Sequence, residues 1–133
     1  MNTFLPYPDF ALSARCLDRA RLGKQRIEVL QLLRGQWPNH PASRMWRGYE
    51  VALCHYGWAI CDEWLERGYK DTVRQQLHVE GSYVAPWWLG DPEFHASHRS
   101  NLLRKSLLHY SSYGWEESPF LPYVWPKEIP RIA

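Results

Sequence analysis

Apolar residues recur with the spacing of an α-helix over residues 10–34, a stretch without proline that ends at Gly35. Asp9 is suited to cap the start of this predicted helix, and Asp18 offers an alternative second N-cap that would divide it. Gly23 lies inside the stretch, where it costs about 1 kcal/mol relative to alanine. A glycine at such a position indicates close contact with a neighbouring element.

The same pattern predicts three further helices, over residues 42–67, 70–78 and 92–109. Gly48 and Gly57 are weak points of the first of these. Asp91 and Pro92 favour the start of the last one, because aspartate caps helices and proline is preferred at the first helical position.

Both ends of the chain are predicted to be extended, since residues 1–8 contain two prolines and residues 110–133 contain four. With 133 residues, the chain has the size of one domain. We therefore predict an all-α fold. It is a compact single domain, residues 1–133, of three to four helices with long Pro/Trp-rich loops and an extended C-terminal tail.

Composition excludes several protein classes. Hydrophobic residues make up 45% and charged residues 23%, as in ordinary soluble proteins. The three cysteines form no CxxC pair, so we expect neither a disulfide framework nor a cysteine zinc site. The amino terminus lacks the pattern of a signal peptide, and no apolar run approaches a membrane span. We expect a cytoplasmic protein with no membrane partner and no cofactor.

The aromatic content is high, with 8 Trp and 8 Tyr, which is more rings than a small core needs. Surplus rings beside basic residues would suit stacking on nucleic-acid bases. The alternative is an aromatic-rich core with polar ring atoms at the surface. The formal net charge of +2 is too small to indicate a nucleic-acid partner by itself.

One face of the first predicted helix carries candidate chemistry. A helical wheel places Asp18, Arg21, Gln25 and Glu28 within an arc of about 80°. Two carboxylates with a guanidinium and an amide could supply a general acid or base. The alternative is an exposed face linked by ordinary ion pairs.

The same helix is the most basic segment of the chain and the best candidate for contacts with phosphates. Arg26 lies within its apolar sector, where a guanidinium needs a partner, either a buried carboxylate or a phosphate. The basic residues of this segment are Arg15, Arg19, Arg21, Lys24 and Arg26.

The last predicted helix and the loop before the second one supply further candidate contacts. His95 and His98 are spaced to share a metal, but no third ligand follows at a recognised spacing, so we expect no metal site. Polar residues of this helix are more naturally contacts to phosphates or bases, and His40 before a proline is expected at a loop mouth. The candidate nucleic-acid contacts outside the first helix are His40, Arg44, Trp46, His95, His98, Arg99, Asn101 and Lys105.

The segments FLPYPDF, LDRARLGKQRIEVLQLL, NHPASRMWRGYE, HASHRSNLLRK and LPYVWP resemble a bacterial group related to the pyrimidine-dimer DNA glycosylase family, whose phage member is endonuclease V. The resemblance to the bacterial group covers nearly the whole chain. The resemblance to the phage enzyme covers mainly the first helix.

The resemblance implies an all-helical enzyme that flips a nucleotide and attacks its sugar with the free amino-terminal amine, assisted by a glutamate. Here the amine would belong to Met1, or to Asn2 after removal of Met1, with Lys24 as the alternative amine. The arginine–glutamate pair of the family would fall on Arg26 and Ile27. Glu28 therefore lies one position late, and Asp18 becomes the competing carboxylate.

We therefore expect a DNA N-glycosylase, with or without AP-lyase activity, that acts on a damaged or modified base in double-stranded DNA as a monomer. One alternative is a module that binds nucleic acid without catalysis. Another is an enzyme that processes a small nucleotide in a closed pocket.

Overall fold

The computed structural model describes residues 1–127, and all regular secondary structure within them is helical, which confirms the predicted all-α fold. The predicted path of residues 128–133 lies outside the described part. Two single turns of 3₁₀-helix lie at Arg74–Gln76 and Ser111–Tyr113. The α-helices are α1 (Phe10–Cys16), α2 (Arg19–Leu33), α3 (Pro41–Trp46), α4 (Glu50–Glu66), α5 (Pro92–Lys105) and α6 (Leu107–Tyr110).

The first predicted helix is divided at the alternative N-cap. Leu17 is extended, and the Asp18 carboxylate accepts a hydrogen bond from the Arg21 backbone N–H at 3.4 Å, which starts α2. The predicted helix over residues 42–67 is also divided. Gly48 adopts φ +88°, a left-handed conformation that breaks a helix, so α3 and α4 are separate.

Two predicted helices differ from the observed ones. The prediction over residues 70–78 is wrong, because Asp71 accepts a hydrogen bond from the Arg74 backbone at 2.8 Å and only the turn Arg74–Gln76 forms. The last predicted helix ends early at Ser106, whose extended φ of −154° separates α5 from α6. The N-cap at Asp91 is confirmed.

Helices α2 and α4 pack face to face, and a glycine on each permits the close approach. A Cβ added at Gly23 would lie 3.0 Å from the Trp64 ring, so the predicted close contact is confirmed. A Cβ at Gly57 would lie only 2.7 Å from Val29 and from Leu77. The pair α2 and α4 is therefore the rigid frame of the fold.

The amino-terminal segment, residues 1–6, runs extended through the core and is bound by side chains of α2, α4 and α5. The Phe4 backbone donates to Gln25 Oε1 at 3.0 Å, and its carbonyl accepts from the Tyr56 hydroxyl at 2.7 Å. The Leu5 backbone N–H donates to His98 Nδ1 at 2.9 Å. The fold thereby places the start of the chain against α2.

Part of the aromatic surplus belongs to the core, as the alternative of an aromatic-rich core predicts, whereas Trp37, Tyr83, Trp87 and Tyr113 are exposed. Trp46, Trp88, Tyr56, Phe94 and Tyr110 are fully buried. Within the described residues, no helix combines the length and apolar character needed to cross a membrane.

Candidate functional site

A cavity of about 350 Å³ opens between the start of the chain and the polar face of α2. The α2 face predicted from the helical wheel lines one wall, and the end of α5 and the tail close the other. The lining residues are Met1, Asn2, Phe4, Ala20, Arg21, Lys24, Gln25, Glu28, Lys105 and Tyr123. Three elements distant in sequence therefore converge on one site.

Gln25 connects the carboxylate of the cavity to the amino-terminal segment. Its side chain is 1% exposed, and its Nε2 donates to the Asn2 carbonyl at 2.7 Å and to Glu28 Oε2 at 2.9 Å. Its Oε1 accepts from the Tyr56 hydroxyl at 2.8 Å as well as from Phe4. Because every polar atom of Gln25 is bonded, the residue holds Glu28 and the segment in one fixed arrangement.

Glu28 is the carboxylate of the cavity. Its side chain is 8% exposed, and its Oε1 lies 3.6 Å from the Lys24 ammonium, which is 74% exposed. The carboxylate thus has one fixed neutral donor and one mobile cation. A buried carboxylate held this way can stabilise developing positive charge or exchange a proton with a reacting group.

Cations from both walls of the cavity surround its mouth. Burial lowers the pKa of Lys105, and the neighbouring charges of Arg21, Arg104 and Lys24 lower it further, while Glu28 opposes them. A shift of this kind reports like charges close together. Three of these cations, Arg21, Lys24 and Lys105, line the cavity, which favours an anionic ligand such as a phosphate.

Met1 is half-buried and Asn2 is buried at the inner end of the cavity. The aromatic side chains beside them form a row. The ring centre of Trp125 lies 5.5 Å from that of Tyr123 and 5.8 Å from that of His40. Burial lowers the pKa of His40, and the positive charge at the amino terminus lowers it further. His40 lies at the end of this row and caps the start of α3, so it is at the end of a loop as expected.

Asp18 has a structural position and does not line the cavity. It caps α2, pairs with Arg21 at 3.2 Å and accepts a hydrogen bond from the Tyr110 hydroxyl. Burial alone would raise the pKa of Asp18, but the hydrogen bonds from Tyr110 and Arg21 outweigh burial and lower it. Of the two carboxylates predicted on this face, only Glu28 reaches the cavity.

Of the α5 residues predicted as nucleic-acid contacts, all except Lys105 form hydrogen bonds within the protein. His95 Nδ1 donates to the Leu5 carbonyl at 2.7 Å, Arg99 donates to the Pro6 carbonyl at 2.7 Å, and Asn101 donates to the Ser97 carbonyl at 2.7 Å. Together with His98, which is fully buried, they are committed to internal bonds. Among residues 1–127, no group of three metal-ligating side chains occurs.

Three other predicted contacts lie away from the cavity. Arg26 pairs with Asp71 and stacks 4.5 Å from the Trp64 ring centre, so its partner is a carboxylate. Trp46 is 2% exposed and donates its indole N–H to Thr3, so it belongs to the core. Arg15 lines a separate cleft between α1 and α4 that also contains Asp62, Glu63 and Glu66.

Arg44 lies on the exposed side of α3. Sequence reasoning assigned no role to Tyr123, which the structure brings to the cavity wall from the tail. The signal available for it was the segment LPYVWP, in which Tyr123 lies.

Comparison with known families gives one match: a family model described as pyrimidine dimer DNA glycosylase covers residues 1–77, more than half of the chain. No curated protein and no solved structure matches the chain. The matched part contains all of α2 and the amino-terminal segment, whereas Lys105 and Tyr123 lie beyond it.

Proposed function

The chain belongs to the pyrimidine dimer DNA glycosylase family, and from that membership we propose that its cavity cleaves the N-glycosidic bond of a damaged or modified base in DNA. One observation supports this above the others: Gln25 ties the amino-terminal segment and the Glu28 carboxylate together in one cavity. An amine and a buried carboxylate are the two groups that an imine-forming glycosylase needs.

In the proposed reaction, an unprotonated amine in the cavity attacks C1′ of the target sugar. A C–N bond forms, the C1′–base bond breaks, and the base leaves with the electron pair and takes up a proton. Opening of the sugar ring then gives a protonated imine between protein and DNA. Hydrolysis of the imine returns the amine and leaves an abasic sugar.

Lyase activity would follow from the same imine. Loss of a proton from C2′ would expel the phosphate on C3′ and break the strand, and water would then release the protein. In this proposal Glu28 stabilises the positive charge on the sugar and accepts or returns a proton, and the hydrogen bond from Gln25 to Glu28 supports that role. The cations at the mouth would bind phosphates beside the flipped nucleotide.

Borohydride trapping tests the amine mechanism, because reduction converts the imine into a permanent bond. Purified protein would be incubated with duplex DNA carrying one thymine dimer, reduced, digested and mapped by mass spectrometry. We expect an adduct on the residue that carries the terminal amine, Met1 or Asn2. The K24R variant, which cannot form an imine at residue 24, should still be trapped.

The other outcomes separate the alternatives. An adduct on Lys24, absent from K24R, would make that lysine the nucleophile. Cleavage of the glycosidic bond without an adduct would replace the amine with water activated by Glu28. Binding without cleavage of a glycosidic bond, across a panel of damaged and modified duplexes, would overturn the glycosylase proposal.

A second candidate is a glycosidase of a free nucleotide, favoured by the concave shape of the site. The cavity of about 350 Å³ is large enough to hold a small ligand and has cations to bind a phosphate. Release of a base from nucleoside monophosphates, without cleavage of any duplex, would support this candidate over the DNA enzyme.

A further inference from the structure

Trp37 combines a strained backbone with an exposed ring. Its φ of +50° makes it the one residue other than glycine with positive φ in the described chain. Bulky residues rarely adopt this conformation. The indole is nonetheless 48% exposed, and no ring contact is formed with it among residues 1–127.

The loop between α2 and α3 holds this conformation with side-chain and backbone hydrogen bonds. Ser43 Oγ and the His40 backbone N–H donate to the Trp37 carbonyl at 2.7 Å and 3.0 Å. Arg47 donates to the Pro38 carbonyl at 2.7 Å. Strained residues persist where their surroundings constrain them in this way, and they cluster at functional sites.

His40, in the same loop, connects it to the neighbourhood of the cavity. The ring centre of His40 lies 5.8 Å from that of Trp125, which lies 5.5 Å from that of Tyr123 in the cavity wall. The bond from His40 to Trp37 closes a turn, which keeps the two Cα atoms within about 7 Å. Trp37 is therefore presented beside the site without forming part of its wall.

We propose that Trp37 is the wedge that enters the DNA duplex beside the target and fills the space left by the flipped nucleotide. This inference rests on the proposed function. A flat apolar ring stacks on any base, and enzymes that flip nucleotides must replace the stacking that is lost. The hydrogen bonds of the loop fix the backbone at Trp37, so only the torsions of its side chain remain to be ordered during binding.

The test compares two substrates that differ in the stacking to be broken. One is a duplex with a thymine dimer in normal pairing, and the other has the same dimer opposite abasic sites. The W37A variant should cleave the paired duplex at least tenfold more slowly than wild type and cleave the second substrate at a nearly normal rate. W37F, which keeps a flat ring, should retain most activity on both.

Two controls separate this role from a general defect. Trp87 is also exposed, at 56%, so W87A should cleave both substrates like wild type. W37G removes the ring and permits the positive φ, so it should melt no lower than wild type while losing cleavage of the paired duplex.

Equal slowing of W37A on both substrates, or no slowing on either, would overturn the wedge and leave the proposed function intact. A wild-type protein that cleaves neither substrate nor any other damaged duplex would overturn both.

Discussion

Glu28 is the residue on which the proposed chemistry depends most directly. The variant E28Q keeps the size of the side chain and an oxygen that can accept the Gln25 hydrogen bond, but it removes the negative charge. We expect the single-turnover rate of glycosidic-bond cleavage to fall by about 10² to 10⁴, the usual contribution of a positioned acid–base group. The melting temperature should change little.

Asp18 is the matched control for this prediction, because it is the other carboxylate of the same helix. D18N removes the charge at the cap of α2 and weakens the pairing with Arg21. It should lower stability by less than about 1 kcal/mol, because asparagine caps a helix as well as aspartate does and mainly the ion pair with Arg21 is lost, and cleavage of the glycosidic bond by the folded protein should be preserved. The opposite pattern, a catalytic loss at residue 18 alone, would contradict the assignment of Glu28.

His98 makes the fold sensitive to acid. Burial lowers its pKa from 6.5 to about 3, and the neighbouring His95 contributes to the decrease. Between these two pH values the unfolded chain binds a proton that the folded chain does not, so stability is full above pH 6.5 and is lost as the pH falls. The expected loss is about 1.4 kcal/mol per pH unit below 6.5 for this one group.

Urea unfolding at pH 7, 6, 5 and 4 measures this dependence. H98N offers an acceptor for the Leu5 backbone but has no titrating ring, so its curve should be flatter than that of the wild type. Parallel curves for the two proteins would show that other groups cause the acid sensitivity.

Among individual residues, the sequence predicted which side chains share the polar face of α2, but it did not predict the structural roles of the histidines of α5. Arg21, Gln25 and Glu28 lie within one helix, so helical geometry alone brings them together. His95 and His98 contact Leu5 across about ninety residues of chain, as the separations of 90 and 93 show. No local pattern reports a contact of that length, and a polar helix face was read as a binding surface instead.

Among the elements, the contact between α2 and α4 is closest at Gly57. G57A would bring a Cβ to 2.7 Å from Val29 Cγ1 and from Leu77 Cδ1, both buried. We expect a loss of about 1–3 kcal/mol in the free energy of unfolding, the usual cost of overpacking. Denaturant unfolding with an unchanged slope would measure it.

The double variant G57A/V29A tests whether the clash is the cause. Removing the Val29 methyl groups makes room on one side, so the two substitutions together should cost less than the sum of their separate effects. If the two effects on the free energy of unfolding are strictly additive, the cost of G57A does not come from the contact with Val29 but from the backbone of α4.

Helix starts were easier to predict from the sequence than helix ends. Asp9, Asp18 and Asp91 cap helices through their own side chains, a local signal that the sequence carries. The break at Gly48 comes from its left-handed backbone, at a glycine that the sequence marks as a weak point. The turn at residues 74–76 follows Asp71, which binds Arg26 of α2 across the fold, a tertiary contact that periodicity does not report.

Across the whole molecule, charge is distributed unevenly, although the formal net charge is only +2. The candidate site contains the cations Arg21, Lys24 and Lys105 beside the single carboxylate of Glu28. The cleft between α1 and α4 contains three carboxylates beside two cations, Arg15 and Arg74. The net charge counted from the sequence adds these two surfaces together and therefore hides the difference between them. The difference arises because the fold brings the end of α5, with Lys105, next to α2.

That separation predicts where salt should act on DNA binding. Each phosphate neutralised by a cation contributes about −0.9 to the slope of log K against log salt concentration on duplex DNA. K105Q should therefore weaken binding and make the slope shallower by about one unit, even though Lys105 lies beyond the residues matched by the family model.

R15Q is the control, because it removes one positive charge as K105Q does, but from the cleft between α1 and α4. The slope of log K against log salt concentration for R15Q should equal that of the wild type. Fluorescence anisotropy with one labelled duplex at several salt concentrations measures both variants. If R15Q changed the slope and K105Q did not, the DNA would lie on the face of α1 and α4, away from Glu28. The cavity could not then be the place where a duplex is cut, and the free-nucleotide reaction would become the better account of it.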